Sequence, residues 1–206
     1  MLLASHAVTW AIDGQVIVPP TSLAVAEGEC LAVVGNNGVG KTTLLRLLAG
    51  QLAPTGGRVE CLGRPVDERD PTVRAAIASL IGVPAFYPDL TVREHLRLIC
   101  ATWGTPAERV GATLEQFWIA RLAARFPHEM STGQTQLFFL ACAFIRPSRI
   151  LILDEPEQRL DPDRKNRLTQ VIAKRLAEGT AVIFAAHDRR LVATLASRVL
   201  ELPDPK

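Results

Sequence analysis

The sequence has few aromatic residues and almost no net charge. Aromatic side chains make up 5% of its 206 residues, and 23 basic against 21 acidic residues leave a formal charge of +2. A surface that binds nucleic acid usually needs a strong positive charge and aromatic groups for base stacking. The composition therefore indicates that nucleic acid is not a partner.

No hydrophobic run approaches the roughly 20 residues that are needed to cross a bilayer. The longest run, LFFLACAFI, covers only Leu137–Ile145. The first ten residues, MLLASHAVTW, lack the basic leader and the long apolar core of a secretory signal. We therefore expect a cytoplasmic protein that has no transmembrane segment of its own.

The cysteines are far apart and form no CxxC pair. Metal sites and redox motifs use closely spaced cysteines, whereas isolated cysteines in apolar segments are typical of buried thiols. We therefore expect reduced thiols, and no metal site, at Cys30, Cys61, Cys100 and Cys142.

Apolar strands alternate with helical stretches, a pattern that favours an α/β fold with a mostly parallel sheet covered by helices. The alternation in residues 1–28 predicts antiparallel β structure, and residues 84–128 have helical periodicity. We expect a single domain over residues 1–206. Its α/β core is predicted at 1–83 and 129–206, with a small helical subdomain inserted at 84–128.

The segment GNNGVGKT at 35–42 lies between a predicted strand and a predicted helix. In that context the spacing is typical of a phosphate-binding loop, because its glycines let successive backbone N–H groups point at one phosphate. Lys41 would reach the β- and γ-phosphates, and the Thr42 hydroxyl would bind Mg²⁺. We predict nucleotide-binding residues at Asn36, Asn37, Gly38, Val39, Gly40, Lys41, Thr42 and Thr43.

Two acids end the most apolar predicted strand, in RILILDEP at 149–156. Alone, such a pair is typical of a helix N-cap. Together with a phosphate-binding loop, Asp154 is predicted to hold Mg²⁺ with Thr42. Glu155 is predicted to act as general base on the attacking water.

These motifs resemble the nucleotide-binding subunit of ABC transporters. The resemblance covers almost the whole chain and rests on the order of the motifs: phosphate loop, helical insert, MSTGQ at 130–134, acidic strand end and His187. It implies a P-loop NTPase core, ATP and Mg²⁺ as cofactors, and Glu155 and His187 as catalytic residues. It also implies two partners, a transmembrane permease subunit and a second ATP-binding subunit in a homodimer or heterodimer.

The family signature, L-S-G-G-Q, is matched here at Ser131, Gly133 and Gln134. Met130 and Thr132 depart from it. In the family this segment completes the ATP site of the opposite subunit, so the three matching residues are predicted to bind ATP across a dimer. Ser131 is also predicted to begin a helix.

Two further positions match the family's ATP-contacting residues. Asp161 matches the acid that contacts the other subunit's phosphate loop. Trp10 stands where the family has a Tyr that stacks on adenine, and the alternative that it only packs on its own sheet stays open.

One expected residue is absent from the hinge before the helical insert. The family has a Gln there that senses Mg²⁺ and the membrane subunit, whereas this sequence places Gly82 or Val83 at that position. The following Phe86, Tyr87 and Leu90 correspond to the groove that receives a permease helix, although these residues could instead fill the core of the insert. Three aromatic residues are predicted to be core: Trp103, Phe117 and Trp118.

The resemblance implies an ATP-hydrolysing subunit that powers a membrane transporter through closure and re-opening of a dimer. It would be peripheral on the cytoplasmic face of the membrane, held there by its permease. The chain's length, without an extra regulatory domain, favours a stand-alone exporter type. Three alternatives stay open: a soluble ATPase of this type acting on ribosomes or DNA, a partly degenerate subunit of a heterodimeric transporter, and a small-molecule kinase.

Overall fold

A computed structural model describes residues 1–204 and contains two β-sheets with flanking helices. The strands are β1 (Leu3–Ile12), β2 (Gln15–Val25), β3 (Cys30–Val34), β4 (Gly56–Cys61), β5 (Arg64–Pro65), β6 (Ile77–Leu80), β7 (Ile150–Asp154), β8 (Ala181–Ala185) and β9 (Arg198–Glu201). The α-helices are α1 (Lys41–Ala49), α2 (Pro71–Ala76), α3 (Val92–Thr102), α4 (Arg109–Gln116), α5 (Thr132–Ile145), α6 (Pro162–Ala177) and α7 (Arg189–Leu195).

The larger sheet is parallel and has the strand order β6-β7-β8-β3-β9. Its central strands are almost entirely apolar and buried, because helices cover both faces of a parallel sheet. The strands β3, β7 and β8 are neighbours and run in the same direction, so their carboxyl ends meet at one edge. In open α/β sheets this edge is where ligands bind.

The smaller sheet is antiparallel, with the order β2-β1-β4-β5. Helix α1 contacts strands of both sheets and therefore lies between them. The predicted α/β fold, with an antiparallel amino-terminal part and a parallel sheet covered by helices, is confirmed.

Residues 84–128 contain α3, α4 and two 3₁₀ turns, at Ala120–Leu122 and Pro127–Glu129. Both helices pack on α5. The division of the chain into a core and an inserted subdomain stays a prediction. Within the described residues, no helix has both the length and the hydrophobicity that a bilayer-spanning segment requires.

The aromatic residues of this region differ in burial. Phe117 is buried, as predicted, and packs edge-on against Phe144. Trp118 was predicted to be core, and that prediction is wrong, because its side chain is 46% exposed. A left-handed backbone (φ 55°) just after α4 turns it outward, where the Arg167 guanidinium lies 5.5 Å from its ring centre. Trp103 is partly exposed and carries the Arg146 guanidinium 3.8 Å from its ring centre.

All four cysteines are free. Three are fully buried and Cys142 is partly so. Burial raises the pKa of the Cys61 thiol to about 11, which keeps it protonated and unreactive at neutral pH.

Candidate nucleotide site

The phosphate loop joins the carboxyl end of β3 to the amino terminus of α1. Helix α1 begins at Lys41, and its cap residue Gly40 has a left-handed backbone with φ 96°. A Cβ atom at Gly40 would lie 2.5 Å from the Ile17 carbonyl oxygen of β2. Only glycine satisfies both constraints, so the left-handed turn before α1 depends on this residue.

We expect Gly40→Ala to destabilise the chain more than Gly38→Ala does. Gly38 also has a positive φ, 83°, but a Cβ atom there would meet nothing within 4 Å. The Gly38 change should therefore cost only the roughly 1–2 kcal/mol of left-handed strain. The Gly40 change adds a collision with backbone worth about 1–3 kcal/mol. Urea unfolding of both variants measures the difference, and equal losses would show that the collision is relieved at no cost.

The amine of Lys41 points into the loop. The residue is 5% exposed, and its Nζ donates to the carbonyl oxygens of Gly35, at 2.9 Å, and Asn36, at 2.8 Å. A buried ammonium needs such partners because leaving water is costly for a charge. The positive charge is thus held inside the loop, against the carbonyl groups of Gly35 and Asn36.

The hydroxyl of Thr42 donates to Oδ2 of Asp154 at 2.7 Å. Burial raises the pKa of Asp154, and the Thr42 hydrogen bond opposes that rise. The other carboxylate oxygen of Asp154, Oδ1, is buried and has no hydrogen-bond partner among residues 1–204. Hydroxyl and carboxylate oxygens are the ligands that Mg²⁺ prefers, so this pair fits the metal predicted for it.

Glu155 and His187 form a pair at the same edge. The Nε2 atom of His187 lies 3.0 Å from Oε1 of Glu155. The pair forms because β7 and β8 are neighbours, with Asp154 opposite Ala185, and each residue follows the end of its strand. Glu155 has a left-handed backbone with φ 46°, a conformation that costs free energy in a non-glycine residue and is often found at functional sites.

The predicted signature lies at the start of α5. The Oγ atom of Ser131 accepts from the Gln134 N–H at 3.4 Å, and Gln134 Oε1 accepts from the Ser131 N–H at 3.0 Å. This capping box confirms that Ser131 begins a helix. A Cβ atom at Gly133 would lie 2.7 Å from the Arg159 carbonyl oxygen, so glycine is required for the loop after β7 to pack here.

The remaining predicted residues lie on several elements. Asp161 caps α6, with its Oδ1 accepting from the Arg164 N–H at 2.9 Å. Trp10 lies opposite Val18 in the antiparallel sheet and is partly buried against its core. The side chain of Asn36 donates to both carboxylate oxygens of Asp204, at 3.0 and 3.1 Å.

The three residues of the predicted phosphate loop that have not yet been described differ in burial. Asn37 is exposed at the tip of the loop, Val39 is buried, and Thr43 is partly buried at the start of α1. The ATP contacts of all the predicted site residues stay predictions.

Sequence reasoning missed Glu157, which is buried next to the Glu155–His187 pair. Its Oε1 atom accepts from the N–H groups of His187, at 3.1 Å, and Asp188, at 3.2 Å. The only signal in the sequence was a third acid in DEPE, where an acid so close to an apolar strand needs a partner.

Gly82 is one of the two residues predicted at the hinge position before residues 84–128. A Cβ atom there would lie 3.7 Å from Nη2 of Arg46, which extends from α1. Gly82 therefore faces a cation from α1 and has no side chain that could bind a metal.

Comparisons with known proteins show the family to which the chain belongs. The profile of the family described as ABC transporter matches residues 18–158. The chain is 32% identical to a protein of Salmonella typhimurium described as a 2-aminoethylphosphonate import ATP-binding protein. The match covers 92% of this chain and 53% of that protein, so the chain spans about half of that relative's length.

A second relative, from Xanthomonas oryzae pv. oryzae, is described as a cytochrome c biogenesis ATP-binding export protein. It is 30% identical, over 98% of this chain and 94% of its own length. The solved structure of an ATP-binding subunit of an ABC transporter superposes with a TM-score of 0.89 and 26% identity, over 98% of this chain and 86% of that one.

The family match, the fold and the order of the motifs agree. The chain belongs to the ABC transporter family, whose ATP-binding subunits hydrolyse ATP with Mg²⁺ as the usual cofactor.

Proposed function

We propose that this chain is the ATP-hydrolysing subunit of a membrane transporter and works with a second cassette and a separate permease. The observation that carries the proposal is the Glu155–His187 pair. His187 Nε2 and Glu155 Oε1 lie 3.0 Å apart, at the sheet edge that also holds the Thr42–Asp154 pair. A proton acceptor, a hydrogen-bonding partner and a metal-ligand pair are thus brought together beside one phosphate loop.

Each residue has a role that its position supports. The ammonium of Lys41 binds the β- and γ-phosphates, and the loop N–H groups bind the same anion. Thr42 and Asp154 hold Mg²⁺, which neutralises charge on the phosphates when bound. Glu155 accepts the proton of the attacking water, and His187 orients Glu155 and contacts the γ-phosphate.

The second cassette supplies the rest of each site. Ser131, Gly133, Gln134 and Asp161 lie at the amino termini of α5 and α6, where N–H groups and partial positive charge favour an anion. The hydrogen bonds that Ser131 makes remain within the first turn of its helix. This leaves the helix terminus to cover an ATP held by the partner subunit, whether that partner is a second copy or a related chain.

The direction of transport is proposed as export. One relative, 30% identical to this chain, is described as an export protein and supports this direction, whereas relatives that are 32% and 34% identical are described as import proteins. The permease is proposed to hold the subunit at the cytoplasmic face of the membrane.

The test is to tag the chain in its native cell, solubilise membranes in mild detergent and identify co-purifying proteins by mass spectrometry. A stoichiometric protein with several membrane spans is expected, and its sequence would indicate cargo and direction. Recovery alone, or with ribosomes or DNA, would overturn the transporter proposal and leave the ATP site intact.

The permease is proposed to dock at the segment after the hinge. Phe86 is 36% exposed and Tyr87 is 62% exposed, although Phe86 also packs against Phe139 of α5. Large apolar groups left on a surface often mark a protein interface, and a permease helix would cover these two.

We expect Phe86→Asp to release the permease and leave ATP binding unchanged, because a buried carboxylate without a partner opposes docking. The control is Val199→Asp, which changes a 56% exposed residue of β9, at the opposite edge of the sheet from β6. Co-purified permease and ATP affinity are measured for both. An undiminished permease yield with Phe86→Asp would place the docking surface elsewhere.

A further inference from the structure

Glu157 lies two residues after the proposed general base and is 4% exposed. Its Oε1 atom accepts from two consecutive backbone N–H groups, those of His187 at 3.1 Å and Asp188 at 3.2 Å. These amides belong to the turn between β8 and α7. The carboxylate thus joins the segment after β7 to the turn that carries His187.

The position of this turn decides where the His187 ring lies. Hydrogen bonds to an ionised acceptor are stronger than neutral ones, and two amides converging on one oxygen restrict both the position and the tilt of the turn. The ring that projects from it reaches Glu155 at 3.0 Å. An error of about 1 Å in such a contact can cost roughly 100-fold in rate.

Asp188 does not duplicate this function. Its own carboxylate caps α7 through the N–H groups of Arg190 and Leu191, at 2.9 and 3.3 Å, and pairs with Lys165 at 3.0 Å. Those contacts fix the start of α7. The N–H groups of His187 and Asp188, which precede α7, donate instead to Glu157.

The second oxygen of Glu157 makes neither of these hydrogen bonds. Oε2 is buried and has no hydrogen-bond partner among the described residues, which is costly for a carboxylate. The groove that Glu157 lines is mostly polar, with Lys165, Asn166 and Asp188 alongside Leu160 and Leu191. The hydrogen bonds of the Glu157 carboxylate therefore run through Oε1, to the two amides of the turn that carries His187.

We propose that Glu157 is a positioning residue for hydrolysis, which fixes the backbone of His187 and so keeps its ring against Glu155. This rests on the proposed ATPase activity. Glu157 itself touches neither nucleotide nor water in this role. Its effect should therefore fall on turnover and not on ATP binding.

The test compares Glu157→Leu, which removes the acceptor, with Glu157→Gln, which keeps an oxygen of the same reach. We expect the Leu variant to lose about 10–100-fold in kcat, with KM for ATP within about twofold of wild type. The Gln variant should stay within about fivefold of wild type, because a neutral acceptor is roughly half as strong as an ionised one. Equal impairment of the two variants, or a change in KM alone, would overturn the proposal.

A double-mutant cycle separates positioning from a general loss of packing. On a His187→Ala background, Glu157→Leu should lower kcat by no more than about twofold further, since the ring to be positioned is gone. A full additional loss would assign Glu157 a structural role and overturn the proposal. If the Leu variant does not fold, Glu157→Asp replaces it: the charge stays, the reach is shorter by one methylene, and the same loss of kcat is expected.

Amide hydrogen exchange of the nucleotide-free chain tests the contact without any turnover. In Glu157→Leu the amides of His187 and Asp188 should exchange at least about tenfold faster, with protection of β7 and β8 retained. Unchanged protection at these two amides would overturn the proposal. If the wild-type chain hydrolyses no ATP, the proposed function fails, whereas the exchange experiment still decides whether Glu157 holds this turn.

Discussion

The Glu155→Gln variant is expected to bind ATP and to hydrolyse it about 10²–10⁴ times more slowly than wild type. The amide has nearly the same size and can still contact His187, whose Nε2 atom lies 3.0 Å from Oε1 of Glu155. It cannot accept the proton of the attacking water. Turnover should therefore fall, whereas the residues predicted to bind phosphate and metal are unchanged.

The measurement is kcat and KM for ATP, together with the oligomeric state by gel filtration in ATP. If hydrolysis re-opens the dimer, a variant that cannot hydrolyse ATP should elute as a dimer in ATP and as a monomer in ADP. The control is Glu178→Gln, which changes an exposed acid at the end of α6 that pairs only loosely with Lys174, at 3.9 Å. Near-normal hydrolysis by Glu155→Gln would remove Glu155 from the role of general base.

The fold and the phosphate loop could be predicted from the sequence because their signals are local. Strands β3, β7 and β8 are unbroken apolar runs, and each is followed by the residues that carry the proposed chemistry. A parallel sheet brings such strand ends to one edge. The contact between Glu155 and His187 was not predicted from the sequence, but the pairing of β7 with β8 explains it.

Shorter elements gave weaker signals. The four-residue strand β6 follows α2 without any intervening loop, and β9 is a sheet-edge strand with largely exposed side chains. Neither has the continuous apolar run that marks a buried strand. Both depend on pairing with strands distant in sequence, β7 for β6 and β3 for β9, which local pattern does not reveal.

Side-chain contacts between distant segments were also beyond the sequence. Glu157 accepts from amides 30 and 31 residues further along the chain, and spacing alone does not predict such a bond. Trp118 was expected in the core on hydrophobicity, but its left-handed backbone points it to the surface. The backbone conformation of one residue outweighed the burial preference of its side chain.

The second large effect is expected from Lys41→Met, which should weaken ATP binding by at least about 10–100-fold. Hydrogen bonds to a charged group are worth about 1.5–3 kcal/mol, and each 1.4 kcal/mol changes affinity tenfold. The methionine fills a similar volume in the loop, so the fold should be retained. Its side chain cannot replace the amine that now donates to Gly35 and Asn36.

Charge alone should not rescue this site. In Lys41→Arg the charge is kept, but the planar guanidinium is larger than an ammonium and cannot enter a position held by two carbonyl oxygens 2.8 and 2.9 Å from Nζ. We expect a loss of ATP affinity comparable to that of the methionine variant, and Lys174→Met, on the exposed face of α6, serves as the control. Titration with ATP gives the dissociation constants, and thermal unfolding checks the fold. Wild-type affinity in Lys41→Arg would show that the loop recognises charge without regard to shape, and wild-type affinity in Lys41→Met would remove Lys41 from the ATP site.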